Sequence, residues 1–322
     1  MNRIVRLALA LLAGGLVVTP ASAAYPEHPI KVIVPYAAGG PADVTTRLIF
    51  NKVTERIGQP FLIDNRGGAG GNIGTAAGAG AAADGYTLTV VTPAQIINMT
   101  LFASPGYDFS RDFTPVSLFT TAPAVLLANP KLGVRTFGEL IALAKSKPGQ
   151  LSFASQGVGV APHLMMEMIK KRAGIDLVHV PYRGSAPALN DVLAGNVPLM
   201  MDSIVTGLPH VRSGALRGLA VSTSKRSPLA PEIPTVAEAG LPGFEASLWY
   251  GVVAPAKTPA DAVATLGSAI AAVLALPEIR ERLLALGAQP AEPAGPASFE
   301  KFLKGELDKW PDVVRSSGAK VQ

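Results

Sequence analysis

The chain has 322 residues, 28 Lys and Arg against 23 Asp and Glu, a formal charge of +5 and no cysteine. The missing cysteines exclude disulfides, thiolate metal sites and a cysteine nucleophile together. No run of Lys or Arg is longer than Lys170-Lys171-Arg172, so the charge leaves no footprint for nucleic acid.

In chain order, residues 1–23 read as a signal peptide rather than part of the fold. Arg3 and Arg6 form a basic start, Leu7–Val18 is an apolar run interrupted only by glycine, and Ala21-Ser22-Ala23 is an A-x-A cleavage signal. The run is too short to span a bilayer, and cleavage is expected after Ala23. Without Arg3 and Arg6 the formal charge falls from +5 to +3. Export of a chain without disulfides points to a Gram-negative periplasm. No later segment is long and apolar enough to cross a membrane.

The remainder is long enough for two domains. Strand-like apolar runs alternate with helical patterns, which predicts an α/β fold with mainly parallel sheets. Ile30–Val34 is the first strand. A helix follows from about Asp43 to Ile57, with Asp43 as the expected N-cap, Pro41 at its entry and Gly58 as its stop. Phe61–Ile63 and Thr87–Val91 are further strands, and within the Gly- and Ala-rich stretch Asn65–Gly80 the segment Gly67–Gly80 is a close-packed helix start. It completes neither G-x-x-x-x-G-K-[ST] nor G-x-G-x-x-G, so it is not a phosphate loop. Val125–Ala128 is a strand and Phe137–Ser146 a helix. Next come strand Leu151–Ala154, helix Pro162–Ala173, strand Leu177–Val180, helix Ala186–Ala194, and strands Val197–Met201 and Leu216–Val221. Helices near Pro259–Leu274, Pro277–Leu286 and Phe299–Val314 complete the chain. No long disordered linker divides it. The expected plan is 24–124 as the first part of one domain, 125–225 as a second domain and 226–322 as the return, with crossings near Ala122–Asn129 and Ser222–Pro234.

Three turns carry the functional reading. At Ala38, Gly39, Gly40 and Asp43 a strand runs into a small-residue turn that opens a helix. The first N–H groups of a helix lack partners and lie at its positive end, so such a turn suits an anion. The second turn is Ser155, Gln156, Gly157 and Gly159, with His163 opening the following helix. The third is Tyr182, Arg183, Gly184 and Ser185, where Arg183 is positioned to pair with a carboxylate. Ligands in open α/β sheets bind outside the carboxyl ends of strands, which brings Thr92 and Asp202 into the candidate set. Asp202 serves equally as a cap or hinge group.

Catalysis has little support. Phe153–Gly157 lacks the first glycine of a nucleophile elbow. Ser222–Lys225 and Ser317–Lys320 match S-x-x-K without S-D-N or K-T-G. His28, His163, His179 and His210 show no metal-ligand spacing. A serine hydrolase built on Ser155 and His163 is the one enzymatic alternative, and it lacks an evident orienting acid. Trp249-Tyr250 reads as core in preference to cleft wall.

A family resemblance rests on motifs spread in order along the mature chain. They are Tyr25-Pro26 with Pro29-Ile30, and Val34-Pro35-Tyr36-Ala37-Ala38-Gly39-Gly40 with Asp43 and Arg47. Asn65-Arg66 follows with Gly68-Ala69-Gly70-Gly71 and Gly74, then Asp84–Leu88 and Val180-Pro181-Tyr182-Arg183-Gly184. Pro234-Thr235 with Glu238 and Gly240, Trp249, Ala254-Pro255 and Thr258-Pro259 complete the set. The chain resembles the tripartite tricarboxylate transporter substrate-binding proteins, also called the Bug receptors. The resemblance implies a type II periplasmic-binding fold, with two α/β domains around a cleft and a carboxylate held mainly by backbone amides and water. It also implies a membrane permease as partner, no cofactor or metal, and a monomer. A sensor kinase as the partner is the alternative that keeps the same site. The second loop departs from the Asn-Gly-Thr type of the family, and Val158 and Val160 beside Gln156 favour a ligand with an apolar body.

Overall fold

The computed structural model describes residues 25–319; the expected signal peptide lies outside the described residues. Two sheets organise these residues. The first half contributes β1 (Ile30–Val34), α1 (Pro41–Ile57), β2 (Phe61–Asn65), α2 (Asn72–Ala79), β3 (Thr87–Val91), α3 (Pro93–Leu101), α4 (Phe109–Asp112) and β4 (Phe113–Ala122). The middle contributes β5 (Ala124–Ala128), α5 (Phe137–Ser146), β6 (Ser152–Ser155), α6 (Ala161–Ala173), β7 (Val178–Pro181), α7 (Ser185–Ala194), β8 (Leu199–Ser203), α8 (Ile204–Arg212) and β9 (Arg217–Val221). The chain ends with β10 (Leu248–Pro255), α9 (Ala260–Leu274), α10 (Pro277–Ala285), β11 (Gln289–Pro290) and α11 (Pro296–Ser317).

The first sheet has the order β11-β4-β10-β3-β1-β2 and the second β7-β6-β8-β5-β9. β1 is parallel to β2 and β3, and β6 is parallel to β7 and β8. The expectation of mainly parallel sheets needs correction: both are mixed. β10 runs antiparallel to β3 and β4, β11 to β4, and β5 to β8 and β9. The parallel strands are those joined by helical crossovers. β4, β5 and β10, each with an antiparallel neighbour, carry the chain from one sheet to the other.

Those crossings are short. β4 ends at Ala122 in the first sheet and β5 begins at Ala124 in the second, with Pro123 between them. The return comes later than the expected residue 226. Val221 N–H donates to Pro234 O, and Ala246 N–H donates to Ser222 O, so the chain stays beside the second sheet as far as Ala246. Ser222 Oγ accepts from Ala124 N–H at 3.0 Å and donates to Ala246 O at 2.7 Å. One hydroxyl therefore ties the two connecting segments together. The C-terminal helix α11 packs on β4 and α3 of the first half and on α6 of the second.

β10 is buried along all eight residues, as its central place between β3 and β4 requires. Gly58 closes α1 at φ 78°, a left-handed C-cap. At the other end of α1 the N-cap is Gly40, and Asp43 lies inside the first turn rather than at the cap. Asp202, expected just past its strand, is within β8.

Candidate functional site

The carboxyl ends of β1, β6 and β7 and the helices that follow them meet between the two sheets. They line a cavity of about 50 Å³. That is room for roughly three to five water-sized centres.

The first half supplies Tyr36, Gly40, Pro41, Ala42, Thr92 and Pro93 to the lining, and β10 adds Leu248, Trp249 and Tyr250. The second half supplies Gln156, Val160, Ala161, Pro162, Ser185 and Asp202. No Lys, Arg or His is among these lining residues.

Three helices begin here without a side-chain cap: α1 behind Gly40, α6 behind Val160 and α7 behind Gly184. Proline occupies the first turn of each, at Pro41, Pro162 and Pro187, where its missing N–H removes a donor that has no helical partner. The fourth helix, α3, is capped. Thr92 Oγ1 accepts from Ala94 N–H at 3.2 Å, and Thr92 N–H donates to Gln95 Oε1 at 2.7 Å. Tyr36 shares a 2.8 Å hydrogen bond with the same Thr92 hydroxyl.

Asp43 stands behind the first turn. Its carboxylate accepts from Gly39 N–H at 2.9 Å, Arg47 Nε at 2.9 Å and Asn65 Nδ2 at 3.1 Å. Burial pushes its pKa up, but Arg47, Gly39 N–H and Asn65 together hold it below the usual carboxylate value.

Asp202 stands behind the third turn under different conditions. It is fully buried and has no cation beside it. Oδ1 accepts from Gln156 Nε2 at 2.6 Å and Ser203 N–H at 2.8 Å; Oδ2 accepts from the hydroxyls of Ser185 at 2.5 Å and Thr206 at 2.8 Å. Burial raises its pKa, and these four donors counter the rise only in part.

Behind the second turn, Ser155 Oγ donates to Gly157 O at 2.9 Å and lies 2.6 Å from His179 Nε2. His163 is stacked on His179 with ring centroids 4.0 Å apart, and its Nδ1 accepts from Gly159 N–H at 3.3 Å. Burial lowers both pKa values. That of His163, further depressed by His179 and Lys170, falls to about 3, and that of His179, further depressed by Lys170, to about 4. The Ser155–His163 pair of the hydrolase alternative does not form. The histidine at Ser155 is His179, and both side chains brace a turn from behind.

The predicted residues thus divide by place. Gly40, Thr92, Gln156, Ser185 and Asp202 reach the lining, while Ala38 and Gly39 are exposed at the rim. Gly157, Gly159 and Gly184 lie in the seam between the halves, against Gly70, Asn98 and Ala37. Gly184 needs its φ of 146° and its bare Cα, because a Cβ there would stand 2.8 Å from the Ala37 Cβ. Tyr182 and Arg183 do not line the cavity: Tyr182 Oη donates to Asp191, and the Arg183 side chain is exposed. Val160 lines the cavity; Val158 does not.

The lining also contains residues that the turns alone did not mark. Trp249 is both core and wall: it is 1% exposed, and its Nε1 donates at 2.6 Å to Glu306 of α11, which also takes the Trp310 N–H. The signal for α3 was present as Thr92 followed three residues later by Gln95. Among the described residues no group of three or more His, Asp or Glu could hold a metal ion.

Residues 45–319 match the family described as the tripartite tricarboxylate transporter family receptor. Protein BugT of Bordetella pertussis is 38% identical over 325 residues, covering 100% of this chain and 99% of that one. Among solved structures, periplasmic binding protein BugD superposes with a TM-score of 0.89 at 34% identity, covering 92% of this chain and 100% of that one. R. palustris Rpa4515 with adipate gives 0.89 at 35%, with the same coverage. MatC from Rhodopseudomonas palustris with bound malate gives 0.86 at 35%, covering 90% and 100%.

Proposed function

The chain belongs to the tripartite tricarboxylate transporter receptor family, a family of solute-binding proteins rather than enzymes, and we propose that it captures a small organic carboxylate in the cavity between its two halves. The observation that carries this reading is the convergence of three helix starts, α1, α6 and α7, none with a side-chain cap, on one cavity. Each offers backbone N–H groups and the positive end of a helix dipole. An anion is held there by backbone donors, without a cationic side chain. Adipate and malate, bound by two structural relatives, are carboxylates of suitable scale.

In this reading the halves form two lobes that hinge at Pro123 and at Ser247. The ligand contacts are Gly40, Thr92, Gln156 and Ser185 with the first-turn amides, braced by Asp43, Asp202, Ser155 and His163. Gly157, Gly159 and Gly184 let the lobes meet. The chain is exported to a Gram-negative periplasm by a cleaved signal peptide and hands its ligand to permease subunits as a monomer.

The test is a thermal-shift screen of residues 24–322 against carboxylates and their amides at neutral pH. A ligand that binds only the folded state at a hundredfold excess over its Kd adds about 2.7 kcal/mol. The expected result is a raised midpoint for at least one carboxylate and none for its amide. Equal shifts with the amide, or shifts with uncharged solutes alone, would sink the reading.

A further inference from the structure

The polar side chains of the cavity wall are mostly occupied by one another. The Thr92 hydroxyl serves the α3 cap and Tyr36; the Ser185 hydroxyl serves Asp202. Asp202 accepts four donors, two on each oxygen, and so has no lone pair left over. Gln156 differs. It is 8% exposed, and its Nε2 is committed to Asp202 Oδ1 at 2.6 Å. That bond fixes the carboxamide, because turning it over would set its oxygen against an acceptor. Gln156 is one of the lining residues, and among their buried polar side-chain atoms its Oε1 is the one without a hydrogen-bond partner. An orphaned buried acceptor is costly, and a donor that fills it recovers that cost.

Resting on the carboxylate-receptor reading above, we propose that the ligand is a carboxylic acid carrying a second group that donates a hydrogen bond, a hydroxyl or an ammonium, and that Gln156 Oε1 selects for it. The carboxylate is held by backbone N–H groups, which every carboxylate can use. Gln156 then separates substituted acids from plain ones. A site built to pair with a donor rejects the analogue that lacks it, because the acceptor is left unpaired.

The experiment is calorimetric titration of the mature protein with matched sets: succinate, malate and aspartate, then butyrate, 3-hydroxybutyrate and 4-aminobutyrate. The expected result is that within a set the hydroxy or amino acid binds about tenfold more tightly than the unsubstituted acid. In Gln156→Met the difference between plain and substituted acids shrinks to within about threefold. Equal binding of plain and substituted acids by the wild type overturns the inference and leaves the carboxylate reading intact; a water then fills the place. A preference that persists in Gln156→Met also overturns it. Binding of none of the six acids, with uncharged solutes binding instead, removes the carboxylate reading itself. Equal binding by the wild type overturns the inference even where Gln156→Met fails to fold.

Discussion

The two walls of the cavity use one device under opposite electrostatic conditions. Each places an acid behind a strand-to-helix turn: Asp43 under α1 and Asp202 under α7. Asp43 is compensated by a half-exposed arginine and by an N–H at the exposed rim. Asp202 is wholly buried and compensated by neutral donors alone. The first wall can return its charges to water if the pairing is lost. The second cannot, since Gln156, Ser185 and Ser203 are themselves buried. The wall that carries Gln156 is therefore also the less forgiving one.

Removing each acid gives the largest contrast. Asp202→Leu leaves the Ser203 N–H and the Gln156 amide without an acceptor in the interior. We expect a loss of about 3 kcal/mol in denaturant unfolding, from breaking a buried network. Asp43→Leu frees Arg47 into solvent and is expected to cost about 1 kcal/mol. Similar costs for the two variants would show that burial of the second acid is not what separates the walls.

Titration separates the walls next. The second wall is braced by His163 and His179, stacked at 4.0 Å, with Lys170 as the nearby charge and with pKa values of about 3 and about 4. Both lie below the unfolded value near 6.5, so the unfolded chain binds more protons as pH falls. The histidines' contribution is complete above about pH 6.5 and is lost as pH drops toward their folded values. At pH 5.5 each should have given up about 1 kcal/mol. Asp202 acts in the opposite sense: with its pKa raised by burial, acid relieves part of its cost. Asp43, held low, keeps the first wall's contribution until stronger acid. Unfolding midpoints measured from pH 7.5 to 5 should fall, and His179→Phe should flatten the slope. An unchanged slope in that variant would mean the pair does not carry the effect.

How much of this was legible beforehand depended on whether a feature is local. The end of α1 at Gly58, the span of α6 and strands β1 and β3 followed from periodicity and stop signals, which act over a few residues. β4 and β10 carry no clear alternation because both faces of β10 are covered, and Pro115 interrupts the pattern of β4. The Ser155 partner was invisible for a related reason. His179 is 24 residues away and arrives through the β6–β7 pairing, where Phe153 faces His179, whereas His163 is merely close in sequence. Arg183 read as a carboxylate partner because its turn resembles the others. It follows β7, however, which is an edge strand, and its side chain turns outward while its carbonyl faces the seam. Trp249 reads as core in preference to cleft wall, and the cavity wall here is a surface of that core.

The smallest expected effect concerns the seam, where the two walls touch each other rather than the ligand. A Cβ at Gly67 would lie 2.8 Å from Arg183 O, a backbone atom of the opposite half that no rotamer change can move. The φ of Gly67 is not in the left-handed region, so alanine can adopt the local conformation, and the collision exists only when the halves are together. Gly67→Ala should then leave the thermal midpoint of the ligand-free protein unchanged. It should weaken binding of whichever carboxylate the screen identifies by about tenfold, since each step of that size is about 1.4 kcal/mol of closed-state strain. The loss should lie in the dissociation rate, because the open form that first meets ligand is untouched. A variant that binds as tightly as the wild type would show that the approach of Gly67 to Arg183 is not needed for capture. A variant with a lowered ligand-free midpoint would show that the halves stay together without ligand.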